Sequence, residues 1–355
     1  MGTRMTTKLV QASRLIELGE RILSAVGVPA DDAHLVSDSL VTAELWGHPS
    51  HGLLRLGWYI ARLRNGVMTP VSKPAVTVDR GAVAVVDGRE GIGQVVAAHA
   101  CREAVRRASN YGVAAVGVRN SNHFGTAAYF TRMIAREGFI GILTTNGSPA
   151  MAPWGGREKA VGANPFSIAA PGGRRGPIVL DIANTAVARG KVYAALERDE
   201  PIPSGWAIDV YGAPTTDAQA AIDGLILPMA GHKGYGISFL MDVLSGVLTG
   251  SSYGRQVSGP YVPDRRSGCG HLVIALQIEA FMGLADFEHR IDDLIETTKA
   301  VPLAQGFGEI FYPGEIEDRA AVQAGEHGVQ IPQRTLEQLE QLADSCGLPP
   351  TLTDW

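Results

Sequence analysis

Apolar residues recur along this chain with two periods, and the segments they mark alternate. From Ser13 to Val26 the rhythm is helical: Leu15, Leu18 and Ile22 share a face with Leu23 beside it, and Gly27 and Pro29 stop the run. A second helix is expected from Asp31 to Trp46, broken by Gly47. Ser50 can cap a third that reaches Asn65, with Gly66 as its stop. Val76 to Val86 alternates apolar positions and ends at Asp87-Gly88, a strand and turn pattern. Gly91-Ile92-Gly93-Gln94 then opens an amphipathic helix to Asn110, the apolar run Val113 to Val118 follows, and a helix-like segment spans Thr126 to Glu137. A strand is expected at Phe139 to Thr145, Gly162-Ala163-Asn164-Pro165-Phe166 leads into an apolar run, and Pro177 to Ile182 supplies a further strand, followed by a helix over Val187 to Leu196. This alternation argues an α/β core and leaves mixed strand directions open. Pro201 to Asp217, rich in Pro and Gly, reads as a loop wrapping the surface. Gly231 to Gly236 opens a long apolar helix carrying Leu240, Leu244, Val247 and Leu248, and His271 to Gln277 reads as the last strand. Two terminal helices follow, Asp286 to Lys299 and Thr335 to Cys346, the second with capping-box spacing from Thr335 to Gln338.

Three stretches carry candidate chemistry. Asn120-Ser121-Asn122-His123-Phe124-Gly125 lies between a strand and a helix, a junction that delivers His123 to the carboxyl edge of a sheet, where α/β enzymes place ligands. A histidine capping the next helix is the plain alternative from those six residues alone. In the third predicted helix His51, Arg55 and Tyr59 follow at i, i+4 and i+8 and would share one face, a wall suited to a small anion. Arg55 can grip a carboxylate with two parallel hydrogen bonds, as lysine cannot. For a lone arginine a solvated face is the ordinary role. Gly231-His232-Lys233-Gly234-Tyr235-Gly236 places a lysine in a glycine-rich helix entry, where converging N–H groups bind anions, or where glycines simply admit a buried helix. His48 and His51 make a weak metal pair, with Pro49 between them and no Cys or carboxylate nearby. No G-x-G-x-x-G, G-x-x-x-x-G-K-[ST] or H-E-x-x-H motif occurs, which disfavours an ordinary Rossmann or P-loop protein.

Composition narrows the classes further. The 355 residues suffice for about two domains without metal or disulfide staples. A net charge of -5 provides no basic field for nucleic acid or anionic lipid. Cys101, Cys269 and Cys346 are far apart and odd in number, which points to a reducing compartment, read as cytoplasm. Met1 to Leu9 lacks the apolar core of a signal peptide, and Asp242 interrupts the best candidate for a membrane span.

Taken together, SHGLLRL at 50–56, NSNHFG at 120–125, APWGG at 152–156, GANPFSIAAP at 162–171, VLDIANTAVARGK at 179–191 and HKGYG at 232–236 resemble the type 2 malate/L-lactate dehydrogenase family over nearly the whole chain. The resemblance implies an NAD(P)-dependent oxidoreductase of small 2-hydroxy, 2-oxo or 2-imino acids. It also implies a mixed-sheet, non-Rossmann dinucleotide-binding region over 76–284, a helical substrate and dimerisation domain from 1–75 plus 285–355, and a homodimer. His123 would be the general acid/base, and His51 and Arg55 would face the substrate with Tyr59. Ser148, Asp181, Ile182, Ala183, Lys233, Gly234, Pro313, Gly314 and Glu315 would contact NAD or NADP, and no metal is called for. The chain departs from the family at Ala163, where Thr is frequent, at Ala230, where Gly is, and at Gln277-Ile278, where Asp-Pro is. A histidine near its ordinary pKa of about 6.5 would serve both reaction directions. His51 and Arg55 suit a Δ1-piperideine- or pyrroline-2-carboxylate reductase equally well, and outside the family a noncatalytic small-anion binding protein would use the same arginine and glycine-rich turn.

Overall fold

The computed structural model describes residues 7–349. At its centre is a seven-stranded sheet in the order Ala75–Arg80, Val83–Asp87, Val113–Ser121, Cys269–Gln277, Phe139–Thr145, Phe166–Ala170, Ile178–Ile182. Val83–Asp87 and Val113–Ser121 are parallel, whereas Cys269–Gln277 lies antiparallel between Val113–Ser121 and Phe139–Thr145. Those two flanking strands therefore share a direction, and two further antiparallel steps bring Ile178–Ile182 into it as well. Four strands thus end at one edge of a mixed sheet, where the segments 88–91, 122–125, 146–148 and 183–185 emerge.

Side-chain alternation covers both faces of this sheet. Val116, Val118, Leu143, Val273 and Ala275 pack with helices Gly93–Tyr111 and Ala127–Arg136 in one core. Gly117, pointing the other way, lies against Thr249, just beyond helix His232–Asp242 and its continuation Val243–Val247 as a π-helical turn. A second core joins the two chain ends: Leu15, Leu18, Ile22, Leu40, Leu56 and Ile60 pack with Val329, Ile331, Leu336 and Leu339. Thr7–Val10 there pairs antiparallel with Val329–Pro332, two short strands that helical periodicity gives no means to see.

Several expectations need correction. Val76 to Val86 is a hairpin rather than one strand: Gly81 turns at φ +73° and Asp79 Oδ1 accepts its N–H at 3.0 Å. The third helix is broken into two 3-10 turns, Pro49–His51 and Leu53–Arg55, before α-helix begins at Leu56. Helix Gln333–Ser345 starts two residues before Thr335, so Pro332 precedes its first turn and no side chain caps it. Helix Glu315–His327 was not anticipated, because its apolar positions are sparse. The 201–217 stretch is more than a loop: it contributes Ile202 and Ala207 to a small third core with Val187, Val192, Ala218 and Ile226.

Candidate active site

The strand Val113–Ser121 delivers His123 as its position in the sequence implies, and the residues around it fix how. Asn120 turns the chain at φ +52°. Asn122 is buried, its amide donating to Gly91 O at 2.9 Å and its Oδ1 accepting from Arg62 at 3.0 Å. Arg62 is itself buried and also binds Val262 O and Ser267 Oγ, so one cation anchors the loop from beneath. Gly93 packs against the carbonyls of Asn122 and His123, leaving no room for a side chain.

Tyr59 stands within 2.7 Å of His123 Nδ1, and Gly125 N–H reaches the same nitrogen at 3.3 Å. Nε2 makes no hydrogen bond among the described residues, so it is the nitrogen open to a ligand. A phenol can donate to Nδ1 or accept from Nδ1–H, so one contact holds the ring in either protonation state. Tyr59 is 1 % exposed, and burial drives its own pKa upward, which keeps it a neutral phenol.

His51 stacks on His123 with ring centroids 5.8 Å apart and planes 16° from parallel, and its Nδ1 lies 2.9 Å from Ser50 Oγ. Burial, then Arg55 and His48, lower His51 to about 4. His123 is pushed well below 6.5 by burial first, then by His51 and Arg55. The expectation of an unperturbed histidine is therefore corrected: His123 is neutral near neutral pH in the free protein, because burial disfavours its charged form and His51 and Arg55 oppose it further.

Arg55 reaches back across the broken helix. Its Nε donates to Ser50 O at 2.5 Å, its guanidinium lies 3.9 Å over the Trp58 ring, and its two terminal nitrogens have no partner among the described residues. The single helix face expected for His51, Arg55 and Tyr59 does not exist, yet the two short turns still gather them. His51 and Tyr59 both contact His123, one stacked and one hydrogen-bonded, so Tyr59 serves the histidine rather than lining a wall. His48 Nε2 faces Glu317 at 3.6 Å.

The segments proposed for the dinucleotide converge through two buried asparagines. Asn164 Oδ1 accepts from Gly147 N–H at 3.0 Å beside Ser148, and its amide donates to Ser238 O in helix His232–Asp242 at 2.9 Å. Asn184, next to Ala183, donates to Asn164 O at 2.7 Å, and its own carbonyl accepts from Met229 N–H ahead of the glycine-rich turn. Lys233 is exposed in the first turn of that helix and forms no ion pair among the described residues. Gly231 at φ +64° enters the helix, and Gly234 packs too closely on Met229 for any side chain. Ala230 also sits at positive φ, +48°. Gly234 N–H is taken by Met229 O at 3.1 Å, which leaves the lysine and the N–H groups of His232 and Lys233 as donors of the kind that suit a pyrophosphate.

Other members of the set already have work within the chain. Asp181 accepts from Ala128 N–H at 2.7 Å at the start of helix Ala127–Arg136, and burial raises its pKa to about 6. Ile182 pairs with Phe166, and Ala183 beyond it is exposed. Glu315 is clasped by Lys299 at 2.7 Å and Arg319 at 2.6 Å, Pro313 O accepts Val179 N–H at 3.0 Å, and Gly314 at φ +93° packs on Val179.

Sequence reasoning missed Asn122 and Arg62 as supports, and also His271. That histidine is buried behind Phe124, bonded to Ser121 Oγ at 2.7 Å and Thr145 Oγ1 at 2.8 Å, and burial lowers it to about 3. Asn122 lay in view within NSNHFG; nothing local marks the other two, whose partners are far away in the chain.

A model of the malate/L-lactate dehydrogenase family matches residues 10–340. An L-sulfolactate dehydrogenase of Methanocaldococcus jannaschii is 40 % identical, over 92 % of this chain and 94 % of that protein. A (2R)-3-sulfolactate dehydrogenase (NADP(+)) of Chromohalobacter salexigens is 36 % identical, over 94 % of this chain and 99 % of that protein. A ureidoglycolate dehydrogenase (NAD(+)) of Escherichia coli is 35 % identical, over 91 % and 92 %. Among solved structures, the sulfolactate dehydrogenase of M. jannaschii superposes with a TM-score of 0.93 at 38 % identity, covering 98 % of this chain and 99 % of that one. A Δ1-piperideine-2-carboxylate reductase of Pseudomonas syringae does so with a TM-score of 0.83 at 28 % identity, covering 95 % and 100 %.

Proposed function

The chain belongs to the malate/L-lactate dehydrogenase family and is an NAD(P)-dependent dehydrogenase, and on that premise we propose that His123 exchanges the proton, and Arg55 with His51 holds the carboxylate, of a small 2-hydroxy or 2-oxo acid. The observation that carries this reading is the open Nε2 of His123, whose other nitrogen is held by Tyr59 and whose ring is stacked on the clamp residue His51. A bound NAD or NADP supplies the hydride acceptor or donor. Lys233 and the first turn of its helix would hold the pyrophosphate, with Ser148, Asp181 to Ala183, Gly234 and Pro313 to Glu315 around the rest. Two of these carboxylates are already engaged, so backbone groups would make the contacts there.

In oxidation, neutral His123 takes the hydroxyl proton at Nε2 while Nδ1–H donates to the Tyr59 oxygen. In reduction, His123 must enter the step protonated. Its surroundings oppose that charge until an anionic substrate arrives: a carboxylate against Arg55 offsets the nearby positive charge and raises the histidine's affinity for a proton. Substrate thus brings the counter-charge that the site lacks. Trp58 and Ser50 O hold the guanidinium so that its two terminal nitrogens stay free for the carboxylate.

A cyclic imine carboxylate reductase is the second reading, favoured by the structural likeness to the P. syringae enzyme. Screening NADH and NADPH against 2-oxo acids, including 3-sulfopyruvate and oxaloacetate, and against cyclic imine carboxylates decides between them. The first reading requires loss of reduced-nicotinamide absorbance with an oxo acid. Turnover confined to imines selects the second, and binding without turnover of either substrate class would overturn both.

We further propose a homodimer, supported by Phe239, Leu240, Val247 and Leu248, which lie exposed along one helical run. Light scattering tests it. The two-part division of the chain, 1–75 plus 285–355 against 76–284, is supported by the core that unites the two termini. A cytoplasmic setting is supported by three unpaired cysteines. No helix among the described residues is long and apolar enough to cross a membrane.

A further inference from the structure

The joint between His51 and Arg55 is held by a residue outside it. Glu44, near the end of helix Ala30–Leu45, is 8 % exposed, and its Oε1 accepts Leu53 N–H at 2.8 Å. The same carboxyl lies so close over Gly52 that any Cβ there would collide with it. Gly52, at φ -91° and ψ -146°, separates the turn ending in His51 from the turn ending in Arg55. Leu53 N–H is the first donor of the second turn, so the carboxyl caps that turn and fixes the direction in which it leaves the first. Arg55 Nε closes the loop by returning to Ser50 O. The charged groups near this end of the helix are engaged elsewhere: His48 faces Glu317, and Arg132 pairs with Asp318 at 2.8 Å while lying over Trp46.

We propose that Glu44 is a positioning residue that sets Arg55 against His51, and through them the affinity for the substrate carboxylate. The inference rests on the reading of Arg55 as the carboxylate clamp and goes beyond it in naming what orients the clamp. A side chain at position 52 would have to displace that carboxyl, which occupies the space of the glycine's missing Cβ.

The test compares Glu44→Gln, which keeps an acceptor for Leu53 N–H, with Glu44→Leu, which does not. Oxamate, a stable mimic of a 2-oxo acid, is titrated calorimetrically into the NADH- or NADPH-loaded protein, whichever binds, and KM for the active 2-oxo acid is measured alongside. Glu44→Leu should weaken oxamate binding and raise KM by roughly tenfold to a hundredfold, the scale of a displacement of about 1 Å. Glu44→Gln should stay close to wild type, and dinucleotide affinity should be unchanged in both. If Glu44→Leu does not fold, Gly52→Ala, which displaces the carboxyl from the other side, must give the same oxamate defect. Undiminished oxamate binding by folded Glu44→Leu or Gly52→Ala, a loss confined to kcat, or a Gln variant as impaired as the Leu variant would overturn the proposal. Oxamate binding by wild type without turnover of any 2-oxo acid would defeat the reaction proposed above while leaving Glu44 to be judged on oxamate. Failure of wild type to bind oxamate would remove the clamp and this role together.

Discussion

Replacing Tyr59 by Phe removes one atom and tests whether that residue orients His123 or lines the substrate pocket. The ring is 1 % exposed and phenylalanine keeps its packing, so the perturbation is confined to the hydroxyl 2.7 Å from Nδ1. What remains on that nitrogen is the longer Gly125 N–H contact at 3.3 Å. That contact suits only an unprotonated Nδ1, whereas the imidazolium formed during oxidation needs an acceptor there. Losing the acceptor for a buried donor costs about 1–3 kcal/mol, which corresponds to roughly a fivefold to hundredfold loss when it falls on the transition state. The loss should appear in kcat in both directions, with KM for the acid little changed. Steady-state kinetics with the active substrate, paired with a thermal melt, makes the measurement. Wild-type kcat would refute the orienting role, and a rise in KM alone would return Tyr59 to the substrate wall.

Three further outcomes are expected. Because His123 is neutral in the free protein, kcat/KM for reduction should keep rising by up to about tenfold per unit as pH falls from about 8 towards about 6; a plateau beginning near pH 7 contradicts the low pKa. Ala230→Gly relieves a left-handed backbone at φ +48° and should stabilise the protein by about 0.5–1 kcal/mol in urea denaturation, after allowance for the flexibility glycine adds to the unfolded chain; no gain would mean that Ala230 is unstrained. Glu44 is raised by burial from 4.5 to about 7, so the folded state holds its proton more tightly than the unfolded one and this stability is lost as pH rises through that range. Relative to Glu44→Gln, wild type should lose about 3 kcal/mol between roughly pH 4.5 and pH 8, and parallel pH profiles for the two proteins would exclude the shift.

How much of this was legible follows from how local each signal is. His123 could be found because strand, polar loop and helix are adjacent in the chain, and periodicity reports such neighbours. The helix through His51 to Tyr59 could not be read correctly, since its break depends on the Glu44 carboxyl pressed against Gly52 and on Arg55 returning to Ser50, contacts between elements. The direction of Cys269–Gln277 was equally hidden: an apolar strand looks the same whichever way it enters a sheet. The glycine-rich turn at Lys233 was recognised, but Asn164 and Asn184, which tie it to the sheet edge, look like loop asparagines until their partners are known. The perturbed state of His123 needed the whole surroundings, because burial is its largest cause.

The antiparallel strand at the centre of the sheet also governs the order in which the molecule can be made. Cys269–Gln277 separates Val113–Ser121 from Phe139–Thr145, so a nascent chain that has emerged only through the helices and strands before residue 269 holds two half-sheets, each with an apolar edge lacking its partner. Thr7–Val10, made before any strand of the central sheet, waits longer still, for Val329–Pro332. Contacts this distant slow folding and prolong the exposure of unpaired strands. Until that strand is made, both half-sheets carry an unpaired apolar edge open to self-association, and a permuted chain that begins shortly before Cys269 would present the central strand first.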